Sequence, residues 1–176
     1  SDVYKRQQQV LGLDQLTGST TAKNVLTVGS FSMDDNAINI SVTDFSSAGP
    51  TNDFRIKPEV CGPGENLGVA AWSQNEPAAT DRYQSNSGTS FASPAVAGAV
   101  ALLQELHKNT LDSYIDGAAM KALLCHTADD ITDWAGQDIT GPDVKTGYGA
   151  VNLEKAALLI EKDEKETLTI HPLSLI

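Results

Sequence analysis

Apolar and polar residues along the chain are spaced in a way that predicts short strands interleaved with helices. Strand-like runs cover 24–29, 38–42 and 67–72, and the segment 45–60, broken by glycine and proline, ends in a further short strand. Helical runs cover 95–103, 114–127 and 152–159, the last with Asn152 as its N-cap. This order predicts an α/β fold with a mostly parallel sheet.

The longest apolar run follows directly on the segment 88–94, Gly-Thr-Ser-Phe-Ala-Ser-Pro. Its small residues leave almost no polar face, so we expect this helix to be buried between other elements. A serine at such a helix start suits a nucleophile, because unpaired N–H groups and the helix dipole steady an oxyanion. Serine is also a preferred N-cap, and the bare string Ser-Gly-Thr-Ser favours that simpler role for Ser90. Pro94 is expected in the first turn, where proline gives up no hydrogen bond.

The longer string, residues 87–98, resembles the catalytic-serine block of the subtilisin-like serine proteases. The resemblance implies that Ser90 is the nucleophile and that Gly88 and Thr89 bind substrate. Phe91 stands where the family commonly has Met, and Ala95 where it commonly has His, and neither change removes a catalytic group. The segment 45–64 is similar to a second block of the family, in which FSS and GPT precede IKPDV and a Pro-Gly pair.

The resemblance covers nearly all of 17–160 and implies the subtilisin-like three-layer fold, present here as the C-terminal part of the domain. Thr17 and Gly18 fall near the position where the family forms part of its substrate side-chain pocket. The turn 147–151 and the helix after it resemble the end of the family's catalytic domain. We therefore assign residues 8–161 to that domain and residues 162–172 to a linker and the start of a further β domain.

The family hydrolyses peptide bonds through an acyl-enzyme, with Asp and His preceding Ser in the chain. His107, His126 and His171 all follow Ser90, and no Asp-Thr-Gly, His-Gly-Thr or upstream Gly-Asn string is present. The histidine, the aspartate and the oxyanion asparagine are thus expected in an upstream half. We predict that these 176 residues alone are inactive and that the parent protein is active.

Both ends of the chain have a pattern that is unusual for protein. Val3 to Gln7 can be encoded by GTG TAT AAG AGA CAG, whose reverse complement translates as Leu-Ser-Leu-Ile-His, and the chain ends in the first four of these residues. Because each end predicts the other, residues 1–7 and 173–176 are interpreted as read-through of a sequencing adapter.

Composition excludes several classes of function. A formal charge of −11 argues against nucleic-acid binding, and no apolar run reaches the length of a membrane span.

Cys61 and Cys125 lie in apolar strings and are predicted to be separate buried thiols. We expect the acyl-enzyme chemistry to need no cofactor. The resemblance alone implies a structural calcium ion in the acidic loop 129–143. We prefer a solvated loop, because its acidic residues do not have the spacing of a calcium-binding motif. Resemblance also implies secretion, protein or peptide substrates and a monomer.

Two other readings stay open at this point. A sedolisin-type serine-carboxyl peptidase also has Ser-Gly-Thr-Ser followed by a proline. The strings FSS at 45–47 and KPEV at 57–60 favour the subtilisin type. A catalytically degenerate domain that acts as a binding module is the non-enzyme alternative. An α/β-hydrolase is disfavoured, because the chain has no Gly-x-Ser-x-Gly string.

Overall fold

The computed structural model describes residues 15–34, 39–71, 82–132 and 140–166. A short 3₁₀ helix (Gly18–Thr21) comes first in this part of the chain. The strands are β1 (Val28–Met33), β2 (Ile40–Val42), β3 (Val60–Pro63), β4 (Leu67–Ala70) and β5 (Tyr83–Asn86). The helices are α1 (Thr89–Leu111), α2 (Gly117–Thr127) and α3 (Leu153–Glu166).

The sheet that supports α1 has the strand order β2-β1-β3. β1 runs parallel to β3, with Val28 opposite Val60, and antiparallel to β2, with Phe31 opposite Val42. A parallel bridge from Cys61 to Ala150 places the segment before α3 beside β3. Because helices cover a sheet with parallel pairing, the predicted α/β class is confirmed.

A separate hairpin, β4 with β5, leads into α1. The sequence predicts a strand at 67–72, of which β4 covers Leu67–Ala70. It treats 73–86 as a polar loop, and this is wrong for Tyr83–Asn86. All four residues of β5 are polar or aromatic and mostly exposed, so they lack the apolar alternation by which a half-buried strand is recognised. The remainder of that predicted loop, 73–81, lies outside the described residues.

One face of α1 supplies the centre of the main core. Its buried residues, Ala92, Val96, Ala99 and Leu103, are spaced three or four apart and pack toward the sheet and α3. The other buried members of this core come from β3, α2, α3 and the loop before α2: Val60, Ile115, Met120, Leu123, Leu124, Ala156 and Ile160. The core therefore fixes the direction of α1, and with it the position of the segment at its N-terminus.

The opposite face of α1 is also built from small apolar residues but is exposed within the described part of the chain. Ala95, Ala97, Gly98 and Ala101 lie on it, and Leu102 retains 58% of its accessible surface. The expectation that α1 is buried on all sides is thus not met by these residues. An apolar surface of this kind is typical of a face that packs against another structural unit.

Two element starts differ from the sequence prediction. β1 begins at Val28 rather than Asn24, because the Thr27 amide donates to the Glu59 carboxylate at 2.7 Å and not to the carbonyl of a neighbouring strand. α2 begins at Gly117 rather than near Tyr114. The Asp116 carboxylate accepts hydrogen bonds from the first backbone amides of α2 and so fixes its start. Ala118, predicted to pack inward, is exposed.

The last helix starts as predicted and ends later. The Asn152 side chain accepts a hydrogen bond from the Lys155 amide at 2.8 Å, which confirms it as the N-cap. α3 continues through the charged run to Glu166, so this run is helical, and its assignment from residue 162 to a linker stays a prediction. Glu and Lys are strong helix formers, so a charged run can prolong a helix. The strand predicted at 167–170 and both terminal segments lie outside the described residues.

Candidate functional site

Ser90 is the second residue of α1 and its side chain is exposed. Gly88 is the N-cap, with φ +153°, a backbone angle that favours glycine. No side chain caps the helix, so the simpler role of Ser90 as an N-cap is wrong. Within the described part of the chain, the Ser90 hydroxyl makes no hydrogen bond. The turn thus presents an uncommitted hydroxyl at the surface.

Backbone amides of the first turn of α1 are adjacent to Ser90 in the chain. The amides of Phe91 and Ala92 donate to the Gly88 carbonyl at 3.0 and 3.4 Å. The amides of Thr89 and Ser90 donate to no acceptor among the described residues. Unpaired amides and the positive end of a 23-residue helix can stabilise a negative oxygen beside Ser90.

Pro94 lies inside α1 rather than in its first turn, where the sequence places it. The helix begins at Thr89, which puts proline in the second turn. Proline lacks an N–H, so it cannot donate to the carbonyl four residues earlier, which is that of Ser90. The backbone around Ser90 is therefore held by fewer helical hydrogen bonds than the middle of the helix.

A cavity of about 160 Å³ lies against Thr89. Thr17 is among the lining residues and Gly18 is not, and the assignment of either residue to a substrate pocket stays a prediction. The sequence does not single out Ser46 and Ser47 as lining residues, although they belong to its FSS string. The lining residues, all uncharged, are Gln15, Leu16, Thr17, Thr20, Thr27, Val28, Gly29, Ser46, Ser47, Pro58 and Thr89.

Buried charged side chains form hydrogen bonds with Thr27, one of the residues that line this cavity. The Thr27 amide donates to Glu59 Oε2 at 2.7 Å, and Lys57 Nζ donates to Thr27 Oγ1 at 3.2 Å. Lys57 and Glu59 form an ion pair at 2.5 Å, with side chains 1% and 6% exposed, and Lys121 pairs with the same Glu59 oxygen. Burial lowers the pKa of Lys57 from its usual value, and the neighbouring Glu59 opposes that shift. Thr27 in turn holds Thr20 through its hydroxyl.

The histidines within the described residues lie away from Ser90 or face other groups. His107 is on the same helix, about 26 Å along the axis from Ser90 at roughly 1.5 Å per residue, and its Nδ1 lies 2.5 Å from the Ser113 carbonyl. His126 lines a separate surface depression of about 300 Å³ with Lys155. His171 lies outside the described residues. His107 is too far along α1 to take a proton from Ser90.

Both cysteines are free thiols as predicted, but only Cys61 is buried, and the predicted burial of Cys125 is wrong. Cys61 is fully buried, and burial raises the pKa of its thiol to about 12. Cys125 is half-buried, and burial raises the pKa of its thiol to about 11. Both thiols are therefore protonated at neutral pH and unsuited to nucleophilic chemistry.

The described ends of the acidic loop do not fit a calcium site. Asp129 is paired with Lys155 and accepts a hydrogen bond from Asn152 at 2.6 Å. Asp143 accepts hydrogen bonds from the backbone amides two and three residues further along the chain, at 2.6 and 3.0 Å. Among the described residues no three His, Cys, Asp or Glu side chains gather as metal ligands. Residues 133–139 lie outside the described part, so the preference for a solvated loop over a calcium site stays a prediction.

Comparison with known proteins gives the family. The model of the subtilase family matches residues 8–151. The chain belongs to the subtilase family. This match supports the subtilisin type over the sedolisin type, which the Ser-Gly-Thr-Ser string leaves open. No helix among residues 15–166 that the structure describes is both long and apolar enough to cross a membrane.

Curated relatives match through a small part of their own length. The PII-type proteinase of Lactococcus lactis subsp. cremoris is 30% identical over 132 residues, which are 69% of this chain and 7% of that protein. The minor extracellular protease Vpr of Bacillus subtilis is 43% identical over 70 residues, or 39% of this chain and 9% of that protein. A subtilisin-like protease of Arabidopsis thaliana is 32% identical over 142 residues, covering 73% of this chain and 18% of that protein.

Solved structures give the same fold. The CspB protease of Clostridium perfringens superposes with a TM-score of 0.65 at 30% identity, covering 84% of this chain and 29% of that chain. The patellamide maturation protease superposes with a TM-score of 0.62 at 28% identity, covering 86% of this chain and 48% of that chain. The chain thus spans less than half of either solved protease.

Proposed function

We propose that this chain carries the nucleophile of a serine endopeptidase, with Ser90 attacking the peptide carbonyl to form an acyl-enzyme. The observation that carries the proposal is an exposed, uncommitted Ser90 hydroxyl in the first turn of α1, beside free amides. In the attack, the serine oxygen bonds to the carbonyl carbon while a base removes its proton, and the amine leaves with a proton. The Ser90 amide stabilises the oxyanion, and Gly88 and Thr89 bind the substrate backbone.

We further propose that the aspartate, the histidine and the oxyanion asparagine come from residues upstream of this chain. His107 lies far along α1 from Ser90, His126 lines a separate surface depression, and the chain spans a minor part of its relatives. The exposed apolar face of α1 supports the same proposal, because an upstream half of the domain would cover it. The 176-residue chain alone is then inactive.

Protein or peptide chains are the proposed substrates, and the uncharged cavity beside Thr89 is proposed to contribute to the pocket for a substrate side chain. Thr17 lines this cavity, and Gly18 starts the 3₁₀ helix next to it. We propose that the parent protein is secreted and monomeric; the extracellular relative from Bacillus subtilis supports secretion. The net charge of −11 supports the exclusion of nucleic acid as a partner.

The test is to label the complete protein, expressed from the source gene, with a fluorophosphonate probe. We expect one labelled serine, and we expect Ser90→Ala to abolish both labelling and peptide hydrolysis. Ser113→Ala is the matched control, since this exposed serine lies beyond the other end of α1 and should label normally. A pH profile of hydrolysis governed by a histidine would further support the subtilisin type.

Two results would contradict the proposal in different ways. A folded complete protein that takes up no probe would indicate a degenerate domain that acts as a binding module. Hydrolysis by the isolated 176-residue chain, lost in Ser90→Ala, would show that no upstream partner is needed.

A further inference from the structure

We propose that Gly64 is a positioning residue for the turn that carries Ser90. Its effect on turnover rests on the proposed function, whereas its effect on the turn does not. Gly64 directly follows β3 and connects the sheet to the turn through both of its backbone polar groups. Its amide donates to the Phe31 carbonyl of β1 at 3.1 Å, and its carbonyl accepts from the Gly88 amide at 2.7 Å.

Gly88 links Gly64 to the start of α1 through its backbone hydrogen bonds. It is the N-cap of the helix, and its carbonyl accepts the amide of Phe91 at 3.0 Å. Ser90 lies between these two residues. A shift of Gly64 relative to β1 therefore moves the N-cap and, with it, the first turn that presents the Ser90 hydroxyl.

The space around Gly64 leaves no room for a side chain. A Cβ on Gly64 would lie far inside contact distance of Ser30 Oγ and 3.0 Å from both Ser30 Cβ and the Gly88 carbonyl oxygen. Ser30 is fully buried in β1 and cannot turn toward solvent. The Ser30 hydroxyl has no hydrogen-bond partner among the described residues, so no hydrogen bond explains why this side chain lies against Gly64.

Crowding at Gly64 must therefore be relieved by backbone movement. The backbone angles of Gly64 are ones that other residues adopt, since its φ is not in the left-handed region. The requirement for glycine is thus one of space between β1 and the turn. Gly68 in β4 provides the contrast, because a Cβ there would meet nothing within 4 Å.

The test compares Gly64→Ala with Gly68→Ala in the complete protein. We expect Gly64→Ala to lower kcat by about 100-fold, the loss that a displacement on the order of 1 Å causes, with KM nearly unchanged. Gly68→Ala should keep the wild-type kcat. Hydrogen exchange of the peptide 83–92 should accelerate in Gly64→Ala only, because the Gly88 amide loses its fixed acceptor.

A rescue variant separates positioning from a general loss of stability. Ser30→Gly combined with Gly64→Ala removes both Ser30 atoms that crowd the new Cβ, and we expect it to restore most of the turnover and the protection of 83–92. If Gly64→Ala does not fold, this double variant takes its place. A folded double variant that stays as slow as Gly64→Ala would overturn the inference.

Two further outcomes are also decisive. Gly64→Ala that unfolds at lower temperature but keeps the wild-type kcat would refute positioning. If the wild-type protein takes up no fluorophosphonate, the proposed function fails. Hydrogen exchange of the peptide 83–92 then decides alone whether Gly64 positions the turn. Equal protection of 83–92 in both glycine variants would refute the inference, and selective loss in Gly64→Ala would sustain it.

Discussion

The buried charge cluster predicts that two substitutions in one ion pair have unequal costs. Glu59 has two cationic partners, Lys57 and Lys121, whereas Lys57 is 1% exposed and has Glu59 as its only carboxylate partner among the described residues. Glu59→Gln keeps the shape but leaves two ammonium groups near each other without a counter-charge. Lys57→Met instead removes the most buried charge and leaves Glu59 paired with Lys121.

Removing one partner of a buried ion pair costs about 3–5 kcal/mol, because the other charge stays buried and uncompensated. We expect this loss for Glu59→Gln. For Lys57→Met the loss is the hydrogen bonds that Lys57 donates to the Val25 carbonyl and to Thr27, at 2.7 and 3.2 Å. That loss is about 1–3 kcal/mol. Since a domain is stable by only about 5–15 kcal/mol, the first change removes a large share of the total.

The assay is urea unfolding followed by far-ultraviolet circular dichroism at neutral pH. The complete protein should carry Ser90→Ala in every sample, so that self-cleavage does not distort the transition. The midpoint should fall more for Glu59→Gln than for Lys57→Met, with equal slopes. An equal fall, or a larger one for Lys57→Met, would refute the asymmetry and with it the role of Glu59 as the shared counter-charge.

Three more predictions concern separate parts of the chain. The Lys155 hydrogen bond lowers the pKa of Asp129, so its stabilisation is present above pH of about 3.8 and is lost as pH falls through the lowered value. Asp129→Asn, measured by thermal unfolding, should therefore cost about 1 kcal/mol or less at pH 7, because this pair is partly exposed, and the cost should shrink as the pH falls into the acid range; a cost independent of pH would contradict it. Phe91→Met in the complete enzyme should lose activity faster in peroxide, because a thioether then lies beside Ser90, and equal loss in a timed assay would refute this. Asp116→Ala should cost about 1 kcal/mol in urea unfolding through loss of the α2 cap, and Asp116→Asn, which can still cap, should cost less.

Local signals in the sequence predict the helices and the position of the candidate nucleophile. The apolar run after Pro94 gives α1, and Asn152 gives the start of α3, because caps and periodicity act within a few residues. Ser90 is found through the block 87–98, whose residues are all contiguous. The family assignment follows from the same contiguous blocks.

Contacts between distant residues are what the sequence does not reveal. Thr27 and Glu59 are 32 positions apart, and their hydrogen bond decides that the strand starts at Val28 rather than at Asn24. The cavity beside Thr89 is lined by residues from five separate segments of the chain. Which side of α1 is exposed also cannot be predicted from one sequence, because small apolar residues occupy both faces of the helix. Packing decides which face is covered.

The two unreactive thiols make this chain a clean background for single-site chemistry. Ser90→Cys would place a thiol at a helix start, where free amides and the helix dipole favour the thiolate. Alkylation at neutral pH would then modify that position ahead of Cys61 and Cys125, whose pKa values are about 12 and 11. A fluorophore or spin label attached there would report directly on the turn, and on the approach of any peptide to it, without removal of a native cysteine.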